Sequence, residues 1–158
     1  MRLIAEMMCF YRRAKAMLSK DKVVMVSGGF DPIHVGHVRM ILEAAEYGPV
    51  IVVANSDDWL MRKKGYVFMP FEERAEILSA IRGVTIVVPV NDKDGTVCDA
   101  LRNHQPNYFA NGGDRTNDNT PEKQVCRAYG IKMLWNVGGG KIQSSSDLVE
   151  NAVEVPDL

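Results

Sequence analysis

From Lys22 onward the apolar positions fall into two alternating rhythms. Val23–Val26, Val50–Ala54, Val84–Val88, Tyr108–Ala110 and Ile131–Trp135 are short apolar runs that read as strands. Between them, apolar residues recur at helical spacing over about 38–47, 71–81, 96–103 and 121–129. Asp94 and Gly95 lead into the third helical stretch. Thr120 caps the fourth, with Pro121 at its first helical position. The strands show no polar alternation, so both of their faces are buried, as in a parallel sheet covered by helices on each side. Strand–helix–strand repetition with right-handed crossovers predicts an α/β fold, a doubly wound five-stranded parallel sheet. Ligands of such sheets bind beyond the carboxyl ends of the strands. The loops after Val26, Ala54, Ala110 and Trp135 are therefore the places to look for chemistry.

The first residues follow a different pattern. Leu3, Ile4, Met7, Met8, Tyr11, Ala14 and Leu18 form one apolar stripe, which predicts an N-terminal helical extension over 1–20 ahead of a domain over 21–158. Glu6 interrupts the apolar stretch and Arg12, Arg13 and Lys15 follow it, the reverse of a secretory signal. A structural helix is the simpler reading, with a helix lying on an anionic membrane surface as the alternative.

Composition narrows the class. In 158 residues, 46% are hydrophobic and 25% charged, which excludes a disordered tail or a coiled-coil rod. Nineteen basic against twenty acidic residues leave a net charge of −1, which argues against a nucleic-acid partner held by its phosphates. No run approaches the roughly 18 apolar residues of a membrane span. Cys9, Cys98 and Cys126 lie far apart without a C-x-x-C pair, so a reduced, cytoplasmic setting is expected.

The loop after the first strand reads Ser27-Gly28-Gly29-Phe30-Asp31-Pro32-Ile33-His34-Val35-Gly36-His37. Gly28 and Gly29 let backbone approach a ligand, and the helix that follows offers unpaired N–H groups to a phosphate. His34 and His37 flank a glycine and would reach that phosphate from one side. An ordinary strand–helix turn with two incidental histidines is the plainer alternative. A zinc pair is another, with His104 the one further imidazole. A dinucleotide fingerprint G-x-G-x-x-G is absent.

GGFDPIHVGH resembles the G-x-F-D-x-x-H-x-G-H signature of the cytidylyltransferase-like nucleotidylyltransferase superfamily. The likeness extends through NSDDWLMRKKG, similar to that family's polar loop and substrate-phosphate lysines, and FEERAEILSAIRGVTIVVP, similar to the helix and strand carrying its arginine and common dimer contact. NGGD and SSSDLV resemble its later motifs, so the likeness covers about 22–152. It implies a Rossmann-like nucleotidylyltransferase fold. It also implies transfer of a nucleoside monophosphate from ATP or CTP to a phosphate-monoester acceptor, with release of pyrophosphate. Such an acceptor is already a dianion near neutral pH, since its second pKa is about 6, so no general base is obligatory.

Carried onto this chain, the resemblance gives His34 and His37 the transition-state contacts and Lys64 the acceptor's phosphate, with Lys63 and Asp57 also near the acceptor. Gly28, Gly29 and Phe30 would surround the nucleotide, with Asp31 fixing the loop or assisting a metal. Gly113 and Asp114 would lie near ribose or base, and Ser144, Ser145 and Ser146 on triphosphate oxygens. Mg²⁺ is the implied cofactor, held through the triphosphate and not in a protein metal site, and a homodimer is the implied assembly. Plain turn or capping roles remain open for Asp57, Asp114 and one of the serines, and a solvated charged turn for Lys64.

Relatives resembling glycerol-3-phosphate, choline-phosphate and ethanolamine-phosphate enzymes carry Arg-Thr before the serine motif. This chain has Asn136-Val137-Gly138-Gly139-Gly140-Lys141, with Lys141 the nearest cation. Heptose-1-phosphate adenylyltransferases also lack that arginine, which puts that branch slightly ahead, although Phe68-Met69-Pro70 departs from their Arg-Pro-Val. The expected acceptor is a small phosphorylated polyol, sugar or amino alcohol. The alternatives are an adenylyltransferase for a cofactor precursor and a nucleotide-binding module without turnover.

Overall fold

The apolar runs do form strands, and all five pair in one parallel sheet in the order β3-β2-β1-β4-β5. The structure is a computed structural model describing residues 22–113 and 120–153. The helix expected over 1–20, with Cys9, and the site candidate Asp114 lie outside the described residues. The strands are β1 (Val24–Gly28), β2 (Val50–Ala54), β3 (Val84–Val88), β4 (Tyr108–Ala110) and β5 (Lys132–Leu134). The helices are α1 (Val35–Ala44), α2 (Asp57–Lys64), α3 (Phe71–Ser79), α4 (Cys98–His104), α5 (Thr120–Tyr129) and α6 (Ser145–Val153).

The period-two geometry of a strand sends alternate side chains to opposite faces, and here both faces are covered. Val24 and Val26 of β1 pack in one core with Met40, Ile41 and Ala44 of α1 and Leu78 of α3. Met25 joins the opposite core with Leu101 of α4 and Val125 of α5. Each fully buried aliphatic side chain contributes about 1.5–3 kcal/mol, so the two layers together outweigh any single polar contact in fixing the sheet. Cys98 and Cys126 are free thiols in the second core. Burial pushes both thiols up, Cys126 to about 11, and they act as small apolar groups.

Several boundaries and one element differ from the sequence reading. Strand β1 runs on to Gly28, and α1 starts at Val35 instead of near Val38. The segment after Ala54, expected as a polar loop, is helix α2. Its hydrophobic periodicity is nearly silent, because Leu60 is its one buried residue. Its capping signals are complete: Ser56 accepts the Trp59 N–H, Asp57 and Asp58 sit in the first turn, Arg62, Lys63 and Lys64 in the last, and Gly65 closes it at φ 82°. Among the described residues no helix is long and apolar enough to cross a membrane.

The chain runs outward from β1 to β3, then crosses back to place β4 on the other side of β1. That reversal opens a crevice beyond the carboxyl ends of β1 and β4.

Candidate active site

The crevice is a cleft of about 400 Å³. Its floor is the loop from β1 into α1. Phe30 turns this loop with φ 52°, a left-handed conformation that costs a non-glycine residue roughly 1–2 kcal/mol, and its buried ring meets the His37 ring edge-on at 4.9 Å. His34 and His37 are stacked, with ring centroids 3.7 Å apart.

The two histidines also cap α1, which is why that helix begins early. His34 Nδ1 accepts the Gly36 N–H at 3.1 Å, and His37 Nδ1 accepts the His34 N–H at 3.2 Å. Histidine is not a usual capping residue, so the spacing did not announce a cap. The bonds settle the tautomers: with Nδ1 accepting, each neutral ring carries its proton on Nε2. Burial pushes His37 down to about 3, helped by His34 and the Lys64 charge. His34 is lowered by burial and then by Lys141. The cleft therefore holds two neutral imidazoles between two lysines.

Asp31 is almost fully buried. Its carboxylate accepts the Phe68 and Met69 N–H groups at 2.8 and 2.6 Å, fixing the segment between α2 and α3. Lys64 donates to the Asp31 carbonyl at 2.5 Å, and its Nζ stands 3.6 Å from the Asp31 carboxylate. Lys63 lies over the Trp59 ring, 4.5 Å from its centre. Beneath these, Arg74 is 0% exposed and joins three segments. It donates to Gly29, Asn55 and Met69 carbonyls at 2.7–2.9 Å and meets the Asp57 carboxylate at 2.6 Å.

The far wall is the strap from Asn136 into α6. Ser144 caps α6, its carbonyl accepting the Leu148 N–H and its hydroxyl the Asp147 N–H. Ser145 donates its hydroxyl to the Pro32 carbonyl at 2.7 Å, tying α6 to the histidine loop. Ser146 lines the cleft beside them.

Of the residues singled out in the sequence, Gly29, Phe30, Asp31, His34, His37, Lys63, Lys64, Gly113, Lys141 and the three serines converge on this cleft. Two do not line it. Gly28 lies behind the Phe30 ring, and Asp57 is turned to Arg74 and the Phe71 N–H. Trp59, Met40, Ile142, Gln143 and the backbone of Gly138 to Gly140 line it without having been singled out. A polar loop after β2 has no inward face on which Trp59 would stand out, whereas helix α2 gives it one. Among the described residues no three His, Cys, Asp or Glu side chains gather as metal ligands, so the zinc alternative finds no third ligand there. Asp31 is occupied by backbone N–H groups and Lys64.

Comparison with known proteins adds the family context. Residues 25–137 match the cytidylyltransferase-like family. The bifunctional protein HldE of Geobacter sulfurreducens is 33% identical over 84% of this chain, which spans 27% of that protein's length. The FAD synthase of Pyrococcus abyssi is 34% identical over 70% of this chain and 75% of its own. A lipopolysaccharide core biosynthesis protein of Thermoplasma volcanium has the same fold, with a TM-score of 0.60 at 22% identity over 72% of this chain and 93% of its own.

Proposed function

The chain belongs to the cytidylyltransferase-like family, and we propose that its cleft transfers a nucleoside monophosphate from ATP or CTP to a small phosphorylated polyol, sugar or amino alcohol. The observation that carries this reading is the pair of neutral imidazoles. Both rings use Nδ1 on the backbone and line the cleft, leaving Nε2–H groups to face a ligand.

In the reaction an acceptor phosphate oxygen attacks the α-phosphorus in line. One P–O bond forms as the bond to the bridging oxygen breaks, and pyrophosphate leaves with that electron pair. No proton need be removed from a dianionic acceptor. The chain's task is positioning and charge stabilisation. The Nε2–H groups of His34 and His37 donate to oxygens that gain charge in the transition state. Lys141 and the N-terminus of α6 face the triphosphate, whose oxygens would carry Mg²⁺ as part of the substrate. Lys64 would leave Asp31 to meet the acceptor phosphate, with Lys63 beside it.

A second reading, an adenylyltransferase for a cofactor precursor, draws support from the FAD synthase match across most of both chains and from the Trp59 ring in the cleft wall. A pyrophosphate-release screen of the common nucleoside triphosphates against phosphorylated polyols, sugars, amino alcohols and FMN separates the two. Release with a sugar or polyol phosphate supports the first reading, and release with FMN alone replaces it. No release with any pair leaves a binding module without turnover.

A further inference from the structure

Helix α1 carries two stripes. One holds the histidines. The other, Gly36, Met40 and Glu43, supports the strap 136–142 along its length. Near the start of the helix, Ile142 Cγ1 lies 3.8 Å from where a Cβ on Gly36 would stand. In the middle, Gly138 sits flush on Met40: a Cβ there would come within 2.8 Å of the Met40 backbone, and φ is +88°. Only glycine fits that contact. Two turns from the histidines, Glu43 Oε2 accepts the Gly138 N–H at 2.7 Å, a charge-assisted bond between residues 95 apart in sequence. Among the described residues the strap is also held by the Val137 N–H donating to the Asn111 carbonyl and by the buried Val137 side chain, while the Gly139 N–H donates to the Asn136 carbonyl within the strap itself.

We propose that Glu43 is a positioning residue for the far wall of the cleft: through the Gly138 N–H it holds the strap in register along α1 and so sets Lys141 against His34. Its effect on nucleotide binding rests on the functional reading above; its effect on Lys141 does not. The geometry supports a lock at this point because Gly138 and its neighbour Gly139, at φ +88° and +80°, carry no side chain, so between Val137, which is buried, and Ile142 the contact with the helix falls to backbone and Glu43.

The test reads His34 directly in the substrate-free protein. The charge acting on its ring is Lys141, since the stacked His37, held neutral by burial and by Lys64, carries none in this range. Loss of the Glu43 charge through space would lower the His34 pKa further, whereas release of Lys141 would raise it, so the sign separates the two effects. NMR titration of His34 is compared in the wild type, Glu43→Ala, Glu43→Asp, Glu43→Gln and Lys141→Ala. The short Glu43→Asp side chain keeps the charge but falls short of Gly138, and Glu43→Gln keeps an acceptor without the charge. We expect Glu43→Ala and Glu43→Asp to raise the His34 pKa as Lys141→Ala does, and Glu43→Gln to leave it unraised. In pyrophosphate release the first two should raise the nucleotide KM about three- to tenfold, with Glu43→Gln near the wild type. An unmoved His34 in both Glu43→Ala and Glu43→Asp, or a Glu43→Gln protein as affected as Glu43→Ala, overturns the proposal. A raised His34 pKa with nucleotide KM unchanged even in Lys141→Ala upholds the lock and overturns the nucleotide's placement on that wall.

Discussion

His37 is packed between Phe30 and His34, and its proton affinity follows from that location. An unfolded chain binds a proton on this imidazole near pH 6.5, while the folded protein refuses it until about pH 3. The unfolded state therefore holds more protons in that window, and stability rises with pH across it. Acidification from pH 7 to pH 5 should cost up to about 1.4 kcal/mol per unit below 6.5 through this residue. His37→Gln should flatten that part of the profile in urea unfolding, and an identical slope in the two proteins would contradict the burial argument. The same neutrality has a catalytic consequence: turnover should show no histidine titration between pH 6.5 and 8. His34→Ala and His37→Ala should each lower turnover a hundredfold or more, near the loss of roughly 2.7–4 kcal/mol for one transition-state donor. Near-normal turnover in either variant would remove the histidines from the chemistry.

Among the elements, α2 depends strongly on polar contacts for its position, since Leu60 is its one buried residue. The Ser56 hydroxyl donates to Asp92 at 2.6 Å while accepting the Trp59 N–H, and Asp92 also takes the Ser56 N–H and the Asn55 amide. Ser56→Ala should cost about 0.5–2 kcal/mol, the usual worth of such a cap. Because Lys63 and Lys64 lie in the last turn of α2, the same variant should raise the acceptor's KM more than the nucleotide's. Equal changes in both constants would show that α2 does not carry the acceptor side. Arg74 works across elements: its removal would leave the Gly29, Asn55 and Met69 carbonyls without their partner. Arg74→Leu should destabilise by about 3 kcal/mol or more in denaturant unfolding, at about 1–3 kcal/mol for each carbonyl that loses its donor. A loss within 1 kcal/mol would mean water replaces the guanidinium.

At the scale of the whole molecule, the fold stands on two apolar layers and the cleft on loops, so ligands and metal should act on different quantities. Chelation should abolish turnover while leaving the thermal midpoint of the substrate-free protein unchanged. Addition of the cognate magnesium nucleotide at about 100 times its Kd should stabilise the fold by about 2.7 kcal/mol, readable as a raised midpoint. Stoichiometric zinc in the purified protein, or a midpoint that falls on chelation, would refute a cleft whose metal arrives with the nucleotide.

The sequence by itself determined the five strands, their two buried faces and the helices that alternate with them except α2, because apolar periodicity records burial residue by residue. It also pointed to the histidine loop, which follows the first strand where such sheets bind ligands, and through the family resemblance to the lysines after β2 and the serines before α6. Tertiary structure alone decided the rest. The silent periodicity of α2 left its helical form to caps and to Asp92, a residue 36 positions from Ser56. Asp57 found Arg74 and not the cleft, because a buried guanidinium needs a carboxylate more than an exposed site does. Asp31 became the anchor of the segment around Phe68 and Met69, and Glu43 the partner of a glycine 95 residues away. Hydrogen bonds between distant segments leave no periodic trace in the chain, so their partners are fixed only when the folded sheet brings them together.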